Sequence, residues 1–282
     1  MRNDTKDTYR QKANQVIDYI SANLHQPLAL DKLAGEIHVS QRQLLRIMRL
    51  FLEESLYAYV ARQRIERAVL YMQTEETGLA ELAEMVGYES PQSFSKAFKK
   101  QFGTSPKAYM SELRARLENF AKSGDGKNSP LQPDVCEEND LELVYIRIIG
   151  KYGESEPYEA TWNKLLCFLG DHRELSEETR FIGISFDNPN VTSHKRCRYY
   201  ACATVKKRIS PRGEFGTIQL RRGKYAVYTL KGSYSGLQAL YNNISVDFSY
   251  QLRHGAAFEE YLNSPRDTKE ENLLTRVFIP IR

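Results

Sequence analysis

The sequence predicts an all-α domain with two helix-turn-helix units, followed by an α+β domain made of two strand–helix–strand–strand repeats. Three observations indicate this fold class. Over 8–121, apolar residues recur at the three- and four-residue spacing of short amphipathic helices. Residues 122–134 are rich in Gly, Ser, Pro and charge, which is typical of a linker. From 135 to 282, short runs of β-branched and aromatic residues indicate strands. We therefore expect domains at 1–121 and 135–282.

The composition is that of a soluble protein. Of its 282 residues, 41% are hydrophobic and 27% are charged, and no apolar run approaches the roughly 20 residues that span a bilayer. The start, MRNDTKDTYRQKANQ, is polar and carries both signs of charge, so we expect no targeting signal, a cytoplasmic location and no membrane partner. The four cysteines form no CxxC pair and have no nearby His at zinc-ligand spacing. We expect structural thiols, no metal site and no cofactor.

The helical domain contains an internal repeat. Its first copy carries Leu33, Ala34, Ile37, Leu44, Arg46 and Met48, and its second copy carries Leu82, Ala83, Val86, Phe94, Lys96 and Phe98 at matching positions. Each copy reads as a short helix, a turn and a second helix. Ser40 is a good N-cap for the second helix of the first copy, and Gly87 supplies the turn of the second copy.

Charge is segregated around the second copy. Residues 91–116 carry six Lys or Arg side chains and one acid, whereas 75–89 carry five glutamates and no base. This pattern predicts one basic and one acidic face, of which only the basic face attracts phosphate. A solvated charged helix is the alternative interpretation.

Residues 27–109 resemble the AraC/XylS family of regulators. The pattern A-x-x-x-G-[FY]-x-[SD]-x-x-x-F-x-[RK]-x-F-[KR]-x-x-x-G-x-[ST]-P is matched at nearly every position over 83–106. The segment YVARQRIERAVLYM is similar to the family's connecting helix, Y-x-x-x-x-R-x-x-x-A. The first unit departs from the family at three positions: Met48 for the usual Phe, Glu53 for Gly and Leu56 for Pro.

The resemblance implies a regulator that binds double-stranded DNA, with the second helix of each unit in a major groove. The two helices would lie about one helical turn of DNA apart, roughly 34 Å. The base-facing residues implied are Arg42, Leu45 and Arg46 in the first unit, and Gln92, Ser95 and Lys96 in the second, with Pro91 beside them. The residues implied for phosphate contacts are Arg49, Lys99, Lys100 and Lys107. Arg suits guanine, Gln suits adenine and Leu suits a thymine methyl, although a Leu here could instead extend the apolar core.

The second domain also repeats itself. A strand ending in GKY at 150–152 leads into a helix predicted over 155–172, and a strand ending in GSY at 232–234 leads into a helix over 235–251. Two such units side by side would form a pseudo-twofold domain with a groove at their junction.

Residues from about 143 to 282 resemble the GyrI-like effector-binding domain. The resemblance is carried by the G-x-Y repeat, Trp162, the segment RYYAC at 198–202, the segment FEEYLN at 258–263 and the ending LLTRVFIPI. Two departures each remove an acid, because Tyr200 and Arg276 stand where the family usually has Asp. The resemblance implies that a small-molecule effector modulates DNA binding, but the preferred ligand is not carried over.

A strand predicted over 256–262 points to the ligand site. Glu259 and Tyr261 share one face of this strand, and Phe258 and Leu262 share the other. If Phe258 and Leu262 pack on the helices, Glu259 faces the groove. A carboxylate among aromatic rings suits an organic cation. The candidate walls are Tyr152, Trp162, Tyr234 and Tyr261. A structural ion pair for Glu259, and simple packing for the tyrosines, are the alternatives.

Two other functions compete with this one. A small hydrolase could use Glu259 beside Trp162, but no nearby His, nucleophile motif or metal cluster accompanies them, so we expect no catalytic residues and no enzyme. A protein-interaction module is compatible with DNA binding, and RNA polymerase is the partner that we expect for a transcription regulator.

Overall fold

The computed structural model describes residues 3–74, 77–123, 132–153, 155–189, 191–207, 209, 211–253 and 255–282. The chain divides into two compact units, one formed by Met1–Asn119 with Arg212–Glu214 and the other by Phe120–Pro211 with Phe215–Arg282. The first is helical and the second is rich in sheet, which confirms the predicted order of the fold class. Most of the predicted linker, residues 124–131, lies outside the described residues, and the exact domain boundaries stay predictions.

Seven helices cover the described part of the N-terminal region. They are α1 (Asn3–Ala22), α2 (Leu30–Glu36), α3 (Gln41–Leu52), α4 (Leu56–Thr74), α5 (Leu79–Met85), α6 (Pro91–Phe102) and α7 (Pro106–Ser123). Helices α2 and α3 form the first helix-turn-helix unit, α5 and α6 form the second, and α4 connects them. Among the described helices, none is both long and apolar enough to cross a membrane.

The second helix of each unit begins at a serine cap. The Ser40 hydroxyl accepts a hydrogen bond from the Gln43 amide at 3.2 Å, and the Ser90 hydroxyl accepts one from the Ser93 amide at 3.2 Å. Each cap satisfies an amide that the helix itself leaves without a partner. The predicted cap at Ser40 is therefore confirmed for α3, and Ser90 is the equivalent cap of α6.

The two units differ at their left-handed backbone positions. In the second unit, glycine occupies both: Gly87 in the turn, with φ +85°, and Gly103 at the end of α6, with φ +75°. In the first unit, the matching positions hold His38, with φ +49°, and Glu53, with φ +57°. A residue with a Cβ pays about 1–2 kcal/mol in this conformation. The other two departures of the first unit, Met48 and Leu56, are fully buried and fill its core.

The sheet-rich compact unit, which follows the helical one in the chain, is built on one eight-stranded antiparallel sheet. Its strands are β1 (Asp134–Glu138), β2 (Leu141–Ile149), β3 (Phe181–Ser185), β4 (Arg198–Thr204), β5 (Phe215–Leu220), β6 (Gly223–Lys231), β7 (Phe258–Tyr261) and β8 (Leu274–Ile281). Their spatial order is β1-β6-β8-β7-β3-β4-β2-β5. Helix α8 (Ser155–Asp171) connects β2 to β3, and helix α9 (Leu237–Asp247) follows a short 3-10 turn and connects β6 to β7.

The edge strands β1 and β5 are not predicted from the sequence. β1 pairs with β6, and β5 pairs with β2. Three of the five residues of β1 are acidic, and β5 contains Gly216 in a run with few β-branched residues. Neither strand therefore has the alternating apolar pattern on which strand prediction depends.

Both faces of the sheet are apolar. One face packs on α8 and α9 through residues that include Ile146, Tyr199, Leu165, Leu240 and Val277. The other face has its own core, in which the rings of Phe258 and Phe278 stack with centroids 4.4 Å apart. The condition that Phe258 and Leu262 pack on the helices is therefore not met: Phe258 lies on the far face, and Leu262 is 43% exposed.

Candidate nucleic-acid interface and ligand site

The exposed sides of α3 and α6 carry matching sets of polar side chains. On α3 these are Arg42, Arg46 and Arg49; on α6 they are Gln92, Lys96 and Lys99, followed by Lys100. In both helices the three members are spaced four and then three residues apart, so they lie along one helical face. The opposite sides are buried, with Leu44, Ile47 and Met48 on α3 and Phe94 and Phe98 on α6. Helix α5 presents Glu81 and Glu84 to solvent, so acids and bases occupy different helices of the second unit.

Leu45 and Ser95, which are implied for base contacts, and Pro91 beside them are less exposed. Leu45, Pro91 and Ser95 are each half-buried, and Leu45 packs against the core of the first unit. Arg46 approaches α1, where its Nη2 lies 3.4 Å from the Tyr9 hydroxyl. Sequence reasoning missed Tyr9, because its helix is remote in sequence from α3.

The basic side chains of α3 and α6 form no ion pairs with carboxylates of the described residues. Within the described parts of the chain, no ion pair joins Arg42, Arg46, Lys96 or Lys99 to a carboxylate. Solvent-facing guanidinium and ammonium groups in this state are available for phosphate and base edges.

The connecting helix holds the second unit through Arg64. Its Nε donates to the Leu24 carbonyl at 2.9 Å, its Nη2 donates to the Gln26 carbonyl at 2.6 Å, and its guanidinium lies over the Tyr88 ring at 5.8 Å. Gly87 lies at the same place, since a Cβ there would be 2.6 Å from the Leu24 oxygen. Arg64 therefore joins the segment that follows α1 to the turn between α5 and α6.

The Glu259 carboxylate lies at the centre of a hydroxyl network. Glu259 is 2% exposed. Its Oε1 accepts hydrogen bonds from the Tyr241 hydroxyl at 2.9 Å and the Ser185 hydroxyl at 3.1 Å, and its Oε2 accepts one from the Tyr261 hydroxyl at 2.7 Å. The Tyr199 and Tyr261 hydroxyl oxygens are 2.9 Å apart. Because Tyr241 belongs to α9 and the other partners to strands, the carboxylate joins α9 to the sheet.

Burial dominates the electrostatics of this network. It raises the pKa of Glu259 above its ordinary value, and the three hydroxyl donors oppose that rise. Burial also raises the pKa of Tyr199, Tyr241 and Tyr261 well above the ordinary value, and the Glu259 charge raises each further. The hydroxyls therefore keep their protons and remain donors.

Three of the four candidate wall residues meet at one ring. Trp162 of α8 packs edge-on against Tyr261 with centroids 5.8 Å apart, and Tyr234 does so at 5.3 Å. Both are half-buried, so the aromatic cluster reaches the surface. The Tyr152 hydroxyl, by contrast, donates to the carbonyls of Asp187 and Arg198 at 3.0 and 2.9 Å. Its contribution as a ligand wall stays a prediction.

Several residues of this cluster were not found from the sequence. They are Ser185, Tyr199, Tyr241, Gly183 and Thr275, which come from β3, β4, α9, β3 and β8. Thr275 lies opposite Tyr261 in the sheet register, is fully buried, and its hydroxyl has no hydrogen-bond partner among the described residues. Tyr199 belongs to the RYYAC segment, which indicates a resemblance to the GyrI-like family but does not indicate a contact with Glu259.

The two departures from the GyrI-like pattern lie on the far face of the sheet. Tyr200 stacks on Tyr145 with centroids 4.3 Å apart, and its hydroxyl accepts a hydrogen bond from the Arg147 Nε at 2.8 Å. Arg276 Nη1 lies 3.8 Å from a carboxylate oxygen of Glu260. Neither change touches the Glu259 network directly.

Comparison with known proteins agrees with both halves of the chain. The transcriptional regulator Rob of Salmonella typhimurium is 22% identical over 284 residues, which cover 94% of this chain and 96% of that protein. The HTH-type transcriptional regulator GbdR of Pseudomonas aeruginosa is 32% identical over 100 residues, or 36% of this chain and 27% of that protein. The regulatory protein SoxS of Escherichia coli is 28% identical over 106 residues, or 38% of this chain and 99% of that protein.

The chain spans less than half the length of several of the relatives that it matches, and only 27% of the length of GbdR. Residues 33–112 match the family model of a helix-turn-helix domain, and the AraC-type resemblance is confirmed by these regulators. Residues 131–282 match the model of the GyrI-like small molecule binding domain. The chain therefore belongs to the GyrI-like family and carries an AraC-type helix-turn-helix region before that domain.

Proposed function

We propose that this protein is a sequence-specific DNA-binding transcription regulator whose sheet-rich domain binds a small organic cation. The observation that carries the DNA-binding part is the matched exposed faces of α3 and α6, each with polar side chains at the same helical spacing and with a buried opposite side. The relatives named as transcriptional regulators support it.

The two recognition faces receive different roles in this proposal. Arg42 and Arg46 bind guanine edges and Gln92 binds an adenine edge, with Lys96 beside it. Leu45, Pro91 and Ser95 flank these contacts, since their partial burial leaves them less reach. The phosphate contacts are assigned to Arg49, Lys99, Lys100 and Lys107, which are all exposed.

Selection of bound sequences from random DNA, at a stated salt concentration, tests this assignment. Arg46→Ala is expected to lose base preference in one half of the site and Lys96→Ala in the other, each by about 1–3 kcal/mol. Lys100→Ala is the matched control: it is expected to weaken all sequences uniformly and to lower the salt dependence by about one phosphate contact. Uniform weakening in all three variants would contradict the bipartite recognition.

We further propose that the sheet-rich unit is a twofold repeat. The element order β2–α8–β3–β4 recurs as β6–α9–β7–β8, and the two sets meet where β3 pairs with β7. Strand β1, which precedes the first set, pairs with β6 of the second set, and strand β5, which precedes the second set, pairs with β2 of the first. These two pairings are related by the same twofold symmetry. Glu259 lies at this junction.

The cation proposal rests on the Glu259 network and its aromatic surroundings. A buried carboxylate offers a charge complementary to a cation, and the edge of the cluster formed by Trp162 and Tyr234 offers aromatic surface. Thr275 adds a buried hydroxyl that a ligand could engage.

Calorimetric titration of the full chain with tetraphenylphosphonium, an aromatic cation, tests the site. Glu259→Gln is expected to weaken binding at least tenfold. Glu260→Gln is the control, because Glu260 is the neighbouring carboxylate on the opposite face of β7, where it pairs with Arg180. Equal affinity in the wild type and Glu259→Gln would remove Glu259 from the ligand site.

RNA polymerase is the partner proposed for the regulatory output. Transcription in vitro from a template carrying the selected DNA site is expected to change when the protein is added. No change on a template that the protein demonstrably occupies would contradict this part.

A further inference from the structure

Gly183 lies in the middle of β3, between Glu259 of β7 and Ala201 of β4. A Cβ at this position would collide with the Tyr261 hydroxyl, and it would lie 2.7 Å from the Tyr199 hydroxyl and 2.8 Å from Glu259 Oε2. Real Cβ atoms essentially never approach other heavy atoms within 3.0 Å. The three atoms that occupy this space are members of the hydroxyl network.

The backbone itself does not require glycine at this place. Gly183 is absent from the positive-φ glycines and has the extended conformation of a paired strand. Its neighbours two residues away on the same face, Phe181 and Ser185, carry side chains, and Ser185 donates to Glu259. Space alone, and not chain conformation, excludes a side chain at Gly183.

We propose that Gly183 is a positioning residue of the effector site: its missing side chain provides the space in which the Glu259 carboxylate and the Tyr199 and Tyr261 hydroxyls converge. This inference rests on the proposed ligand function and deepens it, since the position of Glu259 determines where a cation can bind. Alanine at this position would separate the carboxylate from its donors, while leaving the strand pairing of β3 intact.

Separation of these groups has a measurable electrostatic consequence. The groups that face Glu259 are the hydroxyls of Ser185 on β3, Tyr241 on α9 and Tyr261 on β7. The hydroxyl of Tyr199 on β4 is hydrogen-bonded to that of Tyr261. These donors oppose the effect of burial on the pKa of Glu259. If they move away, burial acts with less opposition and the pKa rises further.

The only tryptophan in the sequence reports on this region, because Trp162 packs against the Tyr261 ring. The ligand-free full chain would be titrated with acid and base while the tryptophan fluorescence is recorded. The wild type is expected to show a transition that Glu259→Gln lacks. Gly183→Ala is expected to move its midpoint to higher pH, and an unchanged midpoint in Gly183→Ala would overturn the proposal.

Gly216 supplies a matched control in the same sheet. A Cβ there would collide with the Tyr145 ring, so Gly216→Ala creates similar crowding on the far face of the sheet. It is expected to lower stability without moving the fluorescence midpoint. A shift of the same size in Gly216→Ala would mean that crowding anywhere in the sheet moves the midpoint, and this also overturns the proposal.

A double-mutant cycle keeps the test decisive if Gly183→Ala folds poorly. Tyr261→Phe removes the hydroxyl with which the new Cβ collides, so Gly183→Ala is expected to cost less stability in the Tyr261→Phe background than in the wild type. Additive costs in the cycle would contradict a role for Gly183 in accommodating that hydroxyl.

The ligand measurement separates this inference from the proposed function. Tetraphenylphosphonium is expected to bind Gly183→Ala at least tenfold more weakly than the wild type and to bind Gly216→Ala normally. If Glu259→Gln binds it normally, the proposed cation site is wrong, and the pH titration still decides whether Gly183 positions the carboxylate. If Glu259→Gln loses binding and Gly183→Ala does not, the positioning role is wrong.

Discussion

Replacing Gly87 with Ala in the turn of the second helix-turn-helix unit should destabilise that unit by two separable effects. The backbone has φ +85°, and a Cβ would lie 2.6 Å from the Leu24 carbonyl oxygen and 3.0 Å from Arg64 Nη2. The left-handed conformation costs alanine about 1–2 kcal/mol, of which about 0.4–1 kcal/mol is recovered through the less flexible unfolded chain. Overlap with a backbone oxygen that already accepts from Arg64 adds about 1–3 kcal/mol. The expected loss is about 2–4 kcal/mol.

Gly103→Ala isolates the first effect. Gly103 has a similar φ of +75°, but nothing lies within 4 Å of a Cβ built on it. Its expected cost is the backbone part alone, about 1 kcal/mol. Urea unfolding of the full chain, followed by the helical circular dichroism signal, measures both variants. Equal losses in Gly87→Ala and Gly103→Ala would refute the steric argument, and two neutral variants would refute the strain argument as well.

Three other substitutions have defined outcomes in the same unfolding assay. Glu53→Gly relieves a left-handed residue at φ +57° and is expected to stabilise the first unit by about 0.5–1 kcal/mol; a loss would show that Glu53 makes a compensating contact. Burial raises the pKa of Glu259 above its ordinary value, so proton uptake stabilises the folded state: wild-type stability should fall as pH rises from the unfolded pKa, about 4.3, through the folded pKa, and Glu259→Gln should lack that slope. Parallel pH profiles would show that Glu259 is not the group responsible. Asp187→Ala removes the carboxylate that binds the buried Arg198 guanidinium at 2.7 Å, and is expected to cost about 3–5 kcal/mol; a cost below about 1 kcal/mol would mean that Arg198 finds other partners.

The recognition helices are predictable from sequence because the information that specifies them is local. Ser40 and Ser90 begin α3 and α6, and Gly103 ends α6. Apolar spacing within twelve residues identifies which side of each helix is buried. Tyr9 could not be found in the same way, since its proximity to Arg46 depends on how α1 packs against α3.

The Glu259 network is only partly predictable, because its members come from different elements. Alternation along one strand places Glu259 and Tyr261 together, whereas Tyr199 and Tyr241 reach them only after β4 and α9 pack. The alternation of side chains along a strand identifies the residues that share a face, but it does not identify the face on which the helices pack. Since both faces here are apolar, alternation is compatible with Phe258 on either side, and in the structure it packs on the face away from the helices.

Edge strand β1 precedes the first repeat in the chain but pairs with β6 of the second repeat, and this affects how the chain folds during synthesis. Asp134 of β1 pairs with Val227 of β6, so β1 emerges from the ribosome long before its partner exists. Until then its backbone donors and acceptors remain unpaired, and such a strand can pair with other chains. Contacts between residues this far apart in sequence also slow folding. β1 carries three acidic side chains, those of Asp134, Glu137 and Glu138. Their like charges repel the same strand of a second nascent chain, so they disfavour association of two unpaired β1 strands.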